Sequence, residues 1–220
     1  MITRQFDQSL NDVQAMLLKM GAHIEIAIDK AMRALVGRDE LLAEEIVRQD
    51  SQIDEIEVQI DELVAKLIAT QQPVAGDLRK LISALKIAAD MERMGDLAKD
   101  IAIETISLAK MNFPEFNPLQ EIVTMSKRVQ KMVNDGINSY IDGNTMLAQR
   151  LAEDDDEVDR LYDSIVKEMK VYFPTGNRYA EVALKCCFVA RYLKRIADHA
   201  TNIAENIIYI ETGKQADLNC

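Results

Sequence analysis

Between Ile46 and Leu67 the apolar residues Ile46, Ile53, Ile56, Ile60, Leu63 and Leu67 recur in steps of three, four and seven, which lays a seam along one face of an α-helix. One position further round, Asp50, Asp54, Glu57 and Asp61 keep the same rhythm. A row of carboxylates therefore borders the buried seam, whereas charge placed only for solubility would sit opposite it. Breakers divide the chain into six helical segments, the first from about Thr3 to Val36, ended by Gly37. The second starts at the N-cap candidate Asp39 and reaches about Thr70, and the third covers about Gly76 to Lys110. The fourth runs from about Leu119 to Ile141, the fifth from the N-cap candidate Asn144 to about Tyr172, and the sixth from about Arg178 to Thr212, stopped by Gly213. Asn112, Pro114, Asn117 and Pro118 form the strongest interruption, which predicts a linker at 112–118 between a unit at 1–111 and a unit at 119–220.

The two units read as copies. An offset of 105 places Asp39 on Asn144, Leu42 on Leu147, Ala43 on Ala148, Asp50 on Asp155, Ile53 on Val158 and Asp54 on Asp159. Past the Pro-containing loop the offset becomes 102, and Ala88, Arg93, Asp96, Ala98, Ile101, Ala102 and Ile106 fall on Ala190, Arg195, Asp198, Ala200, Ile203, Ala204 and Ile208. The expected architecture is all-α, a tandem repeat of two three-helix bundles whose short loops force antiparallel packing.

Composition agrees with long helices: 48% of the 220 residues are hydrophobic, but only 8 are Gly and 4 are Pro, too few for a turn-rich sheet protein. The net charge of −11 and the absence of a clustered Lys/Arg face argue against nucleic acid as a partner, because binding its phosphates depends on a basic surface. There is no basic-then-apolar leader and no apolar run long enough to span a membrane, so a soluble, cytoplasmic protein is expected. Cys186, Cys187 and Cys220 make no disulfide framework, which fits a reducing compartment.

Chemistry concentrates in the acids. Residues four apart share a helix face at about 5–6 Å, so Asp-x-x-x-Asp can offer two carboxylates to one hard cation. The first unit has Asp50 with Asp54, then Glu92, Asp96 and Asp100; the second has Asp155 with Asp159, then Asp198, Asn202 and Glu205. Small residues around the third-helix acids (Ala88, Ala89, Gly95, Ala98; Ala190, Ala197, Ala200) let a neighbouring helix approach. Convergent carboxylates need a cation, a proton or water between them. Arg93 and Arg195, three residues before Asp96 and Asp198, are candidate neutralisers. An oxygen-only set favours Mg, Mn, Ca or Fe over structural zinc. A single acidic pair is ordinarily solvated surface, and it is the repetition in both units that favours a site.

Enzyme signatures are missing: no Gly-rich phosphate loop, no nucleophile elbow, and neither His23 nor His199 has the Glu three residues earlier that a di-iron bundle requires. His199, beside Asp198, reads either as a helix-surface residue or as support for the acidic site. A metal-dependent enzyme using bridged carboxylates and a structural or chaperone-like bundle both stay open as readings of these residues.

The stretches Ala89-Asp90-Met91-Glu92-Arg93-Met94-Gly95-Asp96 and Arg191-Tyr192-Leu193-Lys194-Arg195-Ile196-Ala197-Asp198-His199-Ala200-Thr201-Asn202-Ile203-Ala204-Glu205 resemble the duplicated signature of the PhoU family of bacterial phosphate-signalling regulators. The resemblance covers essentially the whole chain. It implies an adaptor and not an enzyme, a cytoplasmic negative regulator of the phosphate regulon that couples the nucleotide-binding subunit of the phosphate ABC transporter to a sensor histidine kinase. It also implies metal clusters on Asp50 with Asp54 and Glu92 with Asp96, and on Asp155, Asp159 and Asp198. Lys194 departs from the family pattern, standing where the second signature usually has Glu, so the first half is expected to bind metal more tightly. An amphipathic bundle of this kind is also expected to pair as a homodimer.

Overall fold

The computed structural model describes residues 2–49, 51–111, 119–175 and 178–218, and every regular element among them is helical. Helix α1 spans Ile2–Gly37, α2 Glu40–Gln49, α3 Ser51–Gln71, α4 Ala75–Ala109, α5 Leu119–Asp142, α6 Thr145–Met169 and α7 Arg178–Thr212, with a 3₁₀ turn at Lys170–Thr175. The segment expected as one helix from Asp39 to Thr70 is described as α2 and α3 on either side of Asp50. Asp50, the linker at 112–118 and Cys220 lie outside the described residues.

Matching turns join the first two helices of each half. Asp39 Oδ1 accepts from the Leu42 amide at 3.0 Å and Asn144 Oδ1 from the Leu147 amide at 3.0 Å, so both expected N-caps form. The Asp39 amide donates back to Ala34 O and the Asn144 amide to Ser139 O, each at 2.9 Å, closures that require a left-handed residue just before the cap. Gly143 supplies it in the second half at φ 60°. In the first half α1 runs through Gly37, and Arg38 takes the left-handed position at φ 51°. Asn144→Ala removes one cap and is expected to cost about 1 kcal/mol, read from the midpoint of urea unfolding.

The fifth predicted helix stops short of Tyr172. Pro174 lacks an N–H and disfavours α geometry at Phe173, so after Met169 the chain tightens into the 3₁₀ turn.

Helices α1 to α4 pack on one another as one bundle and α5 to α7 as another, and a single hydrophobic core runs through both. In the seam Ile46, Ile53, Ile56, Ile60 and Leu67 are buried as expected, but Val64 is buried and Leu63 only half-buried. Leu63 still packs against the core and Leu67 returns to the seam, so at that turn the apolar face is wide enough to take both Leu63 and Val64, with Val64 the deeper. Two glycines permit close approach: a Cβ on Gly95 would stand 2.7 Å from Ile53 Cδ1 of α3, and one on Gly21 2.4 Å from Ile137 Cδ1 of α5.

The most extensive contact between helices joins the halves, α4 against α7. Asp90 faces His199, and fourteen residues further along α4 Glu104 meets Lys185, fourteen residues earlier in α7, at 3.0 Å, so the two helices run antiparallel. The third helices of the two repeats therefore form the central pair, each with its own bundle behind it.

Candidate functional site

Helix α6 lies along α7, and the fully buried Val158, Leu193 and Ala197 hold the two together. Asp155 and Asp159, one turn apart on α6, are thereby brought against Asp198 of α7. One oxygen from each of these three carboxylates lies within 4.8 Å of the others, the only such group of His, Cys, Asp or Glu among the described residues. Asp155 is 8% exposed, and its buried Oδ1 has no hydrogen-bond partner among the described residues. Burial pushes the Asp155 carboxyl up to about 6, helped by the charges of Asp198, Asp159 and Asp156 and opposed by Lys194. Lys194 donates to Asp159 and, at 3.5 Å, to Asp198. Partial burial pulls its ammonium down, but the bond to Asp159 and the charges of Asp198, Asp159 and Asp155 outweigh this and leave it above the ordinary lysine value.

In the first half the acidic faces of α3 and α4 meet more openly. Asp54 and Asp96 are exposed, and Glu57 and Glu92 half-buried. Glu92 is raised by partial burial and then by Asp96, Glu57 and Asp54, while Glu57 is raised by burial, Asp61 and Asp54; Arg93 opposes both. These carboxylates crowd one another from two helices without forming as tight a group as the second-half trio. Arg93 acts on Glu57 and Glu92, and the ion pair made by Asp96 is with Lys99, at 3.3 Å. The charge of Arg195 acts across the halves on Asp100.

Three candidates turn elsewhere. Every step of four residues rotates a helix about 40° past a full turn. Asp100 has thus left the α3-facing side; burial and Asp96 raise it, and Lys99 and Arg195 oppose them. Its repeat equivalent Asn202 has turned towards α4, where its amide donates to Asp90 Oδ1 at 3.1 Å. Glu205 lies about 10 Å along the axis from Asp198 and accepts from the Leu218 amide at 2.7 Å. Asn202 and Glu205 therefore do not join Asp198 as its ligand partners in this structure.

Asp90 is the polar residue that sequence reasoning passed over. It is 7% exposed, and its Oδ1 meets His199 Nδ1 at 2.9 Å as well as the Asn202 amide, which makes a buried polar bridge between the halves. His199 is neither a surface residue nor a part of the acid trio. The duplication concealed Asp90, because its repeat equivalent is Tyr192.

An oxygen-only donor set suits a hard cation, and among the described residues the group whose oxygens come close enough to share one is Asp155, Asp159 and Asp198. The trio of the second half already holds an ammonium. A cavity of about 530 Å³, lined by Leu10, Lys80, Tyr140, Asp142 and Glu211 among others, contains none of the candidate ligands, which lends no support to an enclosed two-metal catalytic centre. Among the described residues no helix is long and apolar enough to cross a membrane.

Comparison with known proteins matches the PhoU domain twice, to residues 17–105 and 122–207. A phosphate-specific transport system accessory protein PhoU homolog of Clostridium acetobutylicum is 37% identical over 221 residues, covering 100% of both chains. The protein of the same description from Aquifex aeolicus is 41% identical and covers 94% of this chain and 93% of its own. The crystal structure of PhoU from Pseudomonas aeruginosa superposes with a TM-score of 0.90 at 35% identity, covering 95% of this chain and 100% of that one. The phosphate transport system regulatory protein PhoU from Streptococcus pneumoniae gives 0.88 at 27% identity, covering 96% and 99%. These relatives are described as accessory or regulatory proteins and not as enzymes.

Proposed function

The chain belongs to the PhoU family, and on that premise we propose that it is a cytoplasmic accessory protein of phosphate transport that represses the phosphate regulon when phosphate is ample. The observation that carries this reading is the pair of PhoU domain matches, one on each half, together with full-length identity to proteins described as accessory to phosphate-specific transport. Its partners would be the nucleotide-binding subunit of the phosphate ABC transporter and a sensor histidine kinase. The working units would be 1–111 and 119–220, and the active species a homodimer. Asp50, Asp54, Glu92 and Asp96 would hold a Mg, Mn, Fe or Ca ion between the second and third helices of the first half. The ion would relieve the mutual repulsion that raises Glu92 and Glu57. An acidic surface without a cradle of basic groups is a poor phosphate receptor, so the phosphate signal reaches this protein through its partners.

Affinity capture of the tagged full-length chain from phosphate-replete cells is expected to bring down the transporter's nucleotide-binding subunit and the kinase. Asp54→Ala combined with Asp96→Ala should reduce the yield several-fold. Cells lacking the protein should express phosphate-starvation genes in high phosphate. Silent genes in such cells, with neither partner captured, would overturn the reading.

A further inference from the structure

The repeat offsets pair Asp50 with Asp155, Asp54 with Asp159, Glu92 with Lys194 and Asp96 with Asp198. The sequence thus carries the same four positions in two versions, four acids in the first half and three acids with a lysine in the second. In the second version Lys194 Nζ donates to carboxylates on both helices, Asp159 of α6 and Asp198 of α7. One oxygen from each of Asp155, Asp159 and Asp198 lies within 4.8 Å of the others, and the buried Oδ1 of Asp155 has no hydrogen-bond partner among the described residues. An ammonium brings a positive charge and three donors with no acceptor, so it can satisfy several carboxylates at once. A divalent ion binds such oxygens at about 2.0–2.6 Å and would have to enter the space where Nζ sits.

We infer that Lys194 is a tethered replacement for a metal ion, so that the second half assembles its carboxylate cluster without metal and exchange of divalent cations is confined to the first half. The contrast between the halves rests on the proposed first-half ion site; the role of Lys194 does not. The substitution Glu92 to Lys194 between repeats is what turns an exchangeable site into a fixed one. Metal availability then acts on α3 and α4 while α6 and α7 stay clamped whatever the ion supply.

The test uses the full-length chain, Mn²⁺ as the probe, equilibrium dialysis with metal analysis, and thermal melting with and without chelator. In the wild-type background Asp155→Asn should leave the Mn²⁺ stoichiometry unchanged. Lys194→Glu should take up at least one further Mn²⁺ ion per chain. Lys194→Met should melt below the wild type in chelator and regain the difference when Mn²⁺ is added, which keeps the inference testable if Lys194→Glu does not fold. Loss of Mn²⁺ on Asp155→Asn, no gain in folded Lys194→Glu, or no rescue of Lys194→Met would each overturn it. A wild-type chain that takes up no Mn²⁺, beside a Lys194→Glu variant that does, removes the first-half ion site and supports the role of Lys194.

Discussion

Asp90→Ala is expected to lower the unfolding free energy by about 3 kcal/mol. The carboxylate is 7% exposed and receives two donors from the other half, His199 Nδ1 at 2.9 Å and the Asn202 amide at 3.1 Å. An ionised carboxylate only accepts, so this geometry puts the ring proton on Nδ1. Truncation takes the acceptor from His199, which is 9% exposed, and leaves its ring nitrogen where water reaches poorly. Two controls separate this cause from lost packing. Asp90→Asn keeps one acceptor oxygen and should lose roughly half as much, and His199→Leu in the Asp90→Ala background should cost less than it does alone, because the stranded donor has gone. Urea unfolding with a linear extrapolation measures all four. A loss below about 1 kcal/mol for Asp90→Ala would mean that water enters the joint between α4 and α7.

That joint also marks the limit of what the sequence reveals. Helix positions follow from local rules, since the seam on α3 and the caps at Asp39 and Asn144 depend only on neighbours within a turn or two, and apart from Val64 lying deeper than Leu63 they stand where periodicity and cap chemistry put them. Duplication showed that two similar units exist, but similarity does not say which faces meet. The α4 and α7 pairing, with Lys185 on Glu104 and His199 on Asp90, is a property of the assembled pair. The acidic residues illustrate a second limit. Asp155 and Asp159 are one step of four apart and stay together, whereas Asn202 is two steps from Lys194, about 80° of rotation, and turns onto Asp90. Lys194 was legible as a departure from the family pattern. That its ammonium bridges α6 and α7 required the structure.

Asp155→Asn is expected to stabilise the metal-free chain at pH 7.5 by about 2 kcal/mol, and the gain should vanish towards pH 4. The carboxyl is held at about 6 in the folded protein against an ordinary value of 3.8, first by burial and then by the charges of Asp198 and Asp159. The folded state therefore binds the Asp155 proton more tightly than the unfolded chain does. Between about pH 4 and 6 stability falls as pH rises, and above 6 the full cost of ionising a buried group is carried. At about 1.4 kcal/mol per pH unit that cost has an upper bound of about 3 kcal/mol, and residual contact with water brings it lower. Asparagine carries no charge, and its amide can donate to Asp198 or Asp159, where the native side chain only repels them. Well below pH 3.8 Asp155 is protonated in both states and as neutral as asparagine, so the two proteins should unfold alike there. Urea midpoints of wild type and variant compared at pH 4, 5, 6 and 7.5 in chelator give the profile, and a difference that stays constant with pH would place its origin outside the ionisation of Asp155.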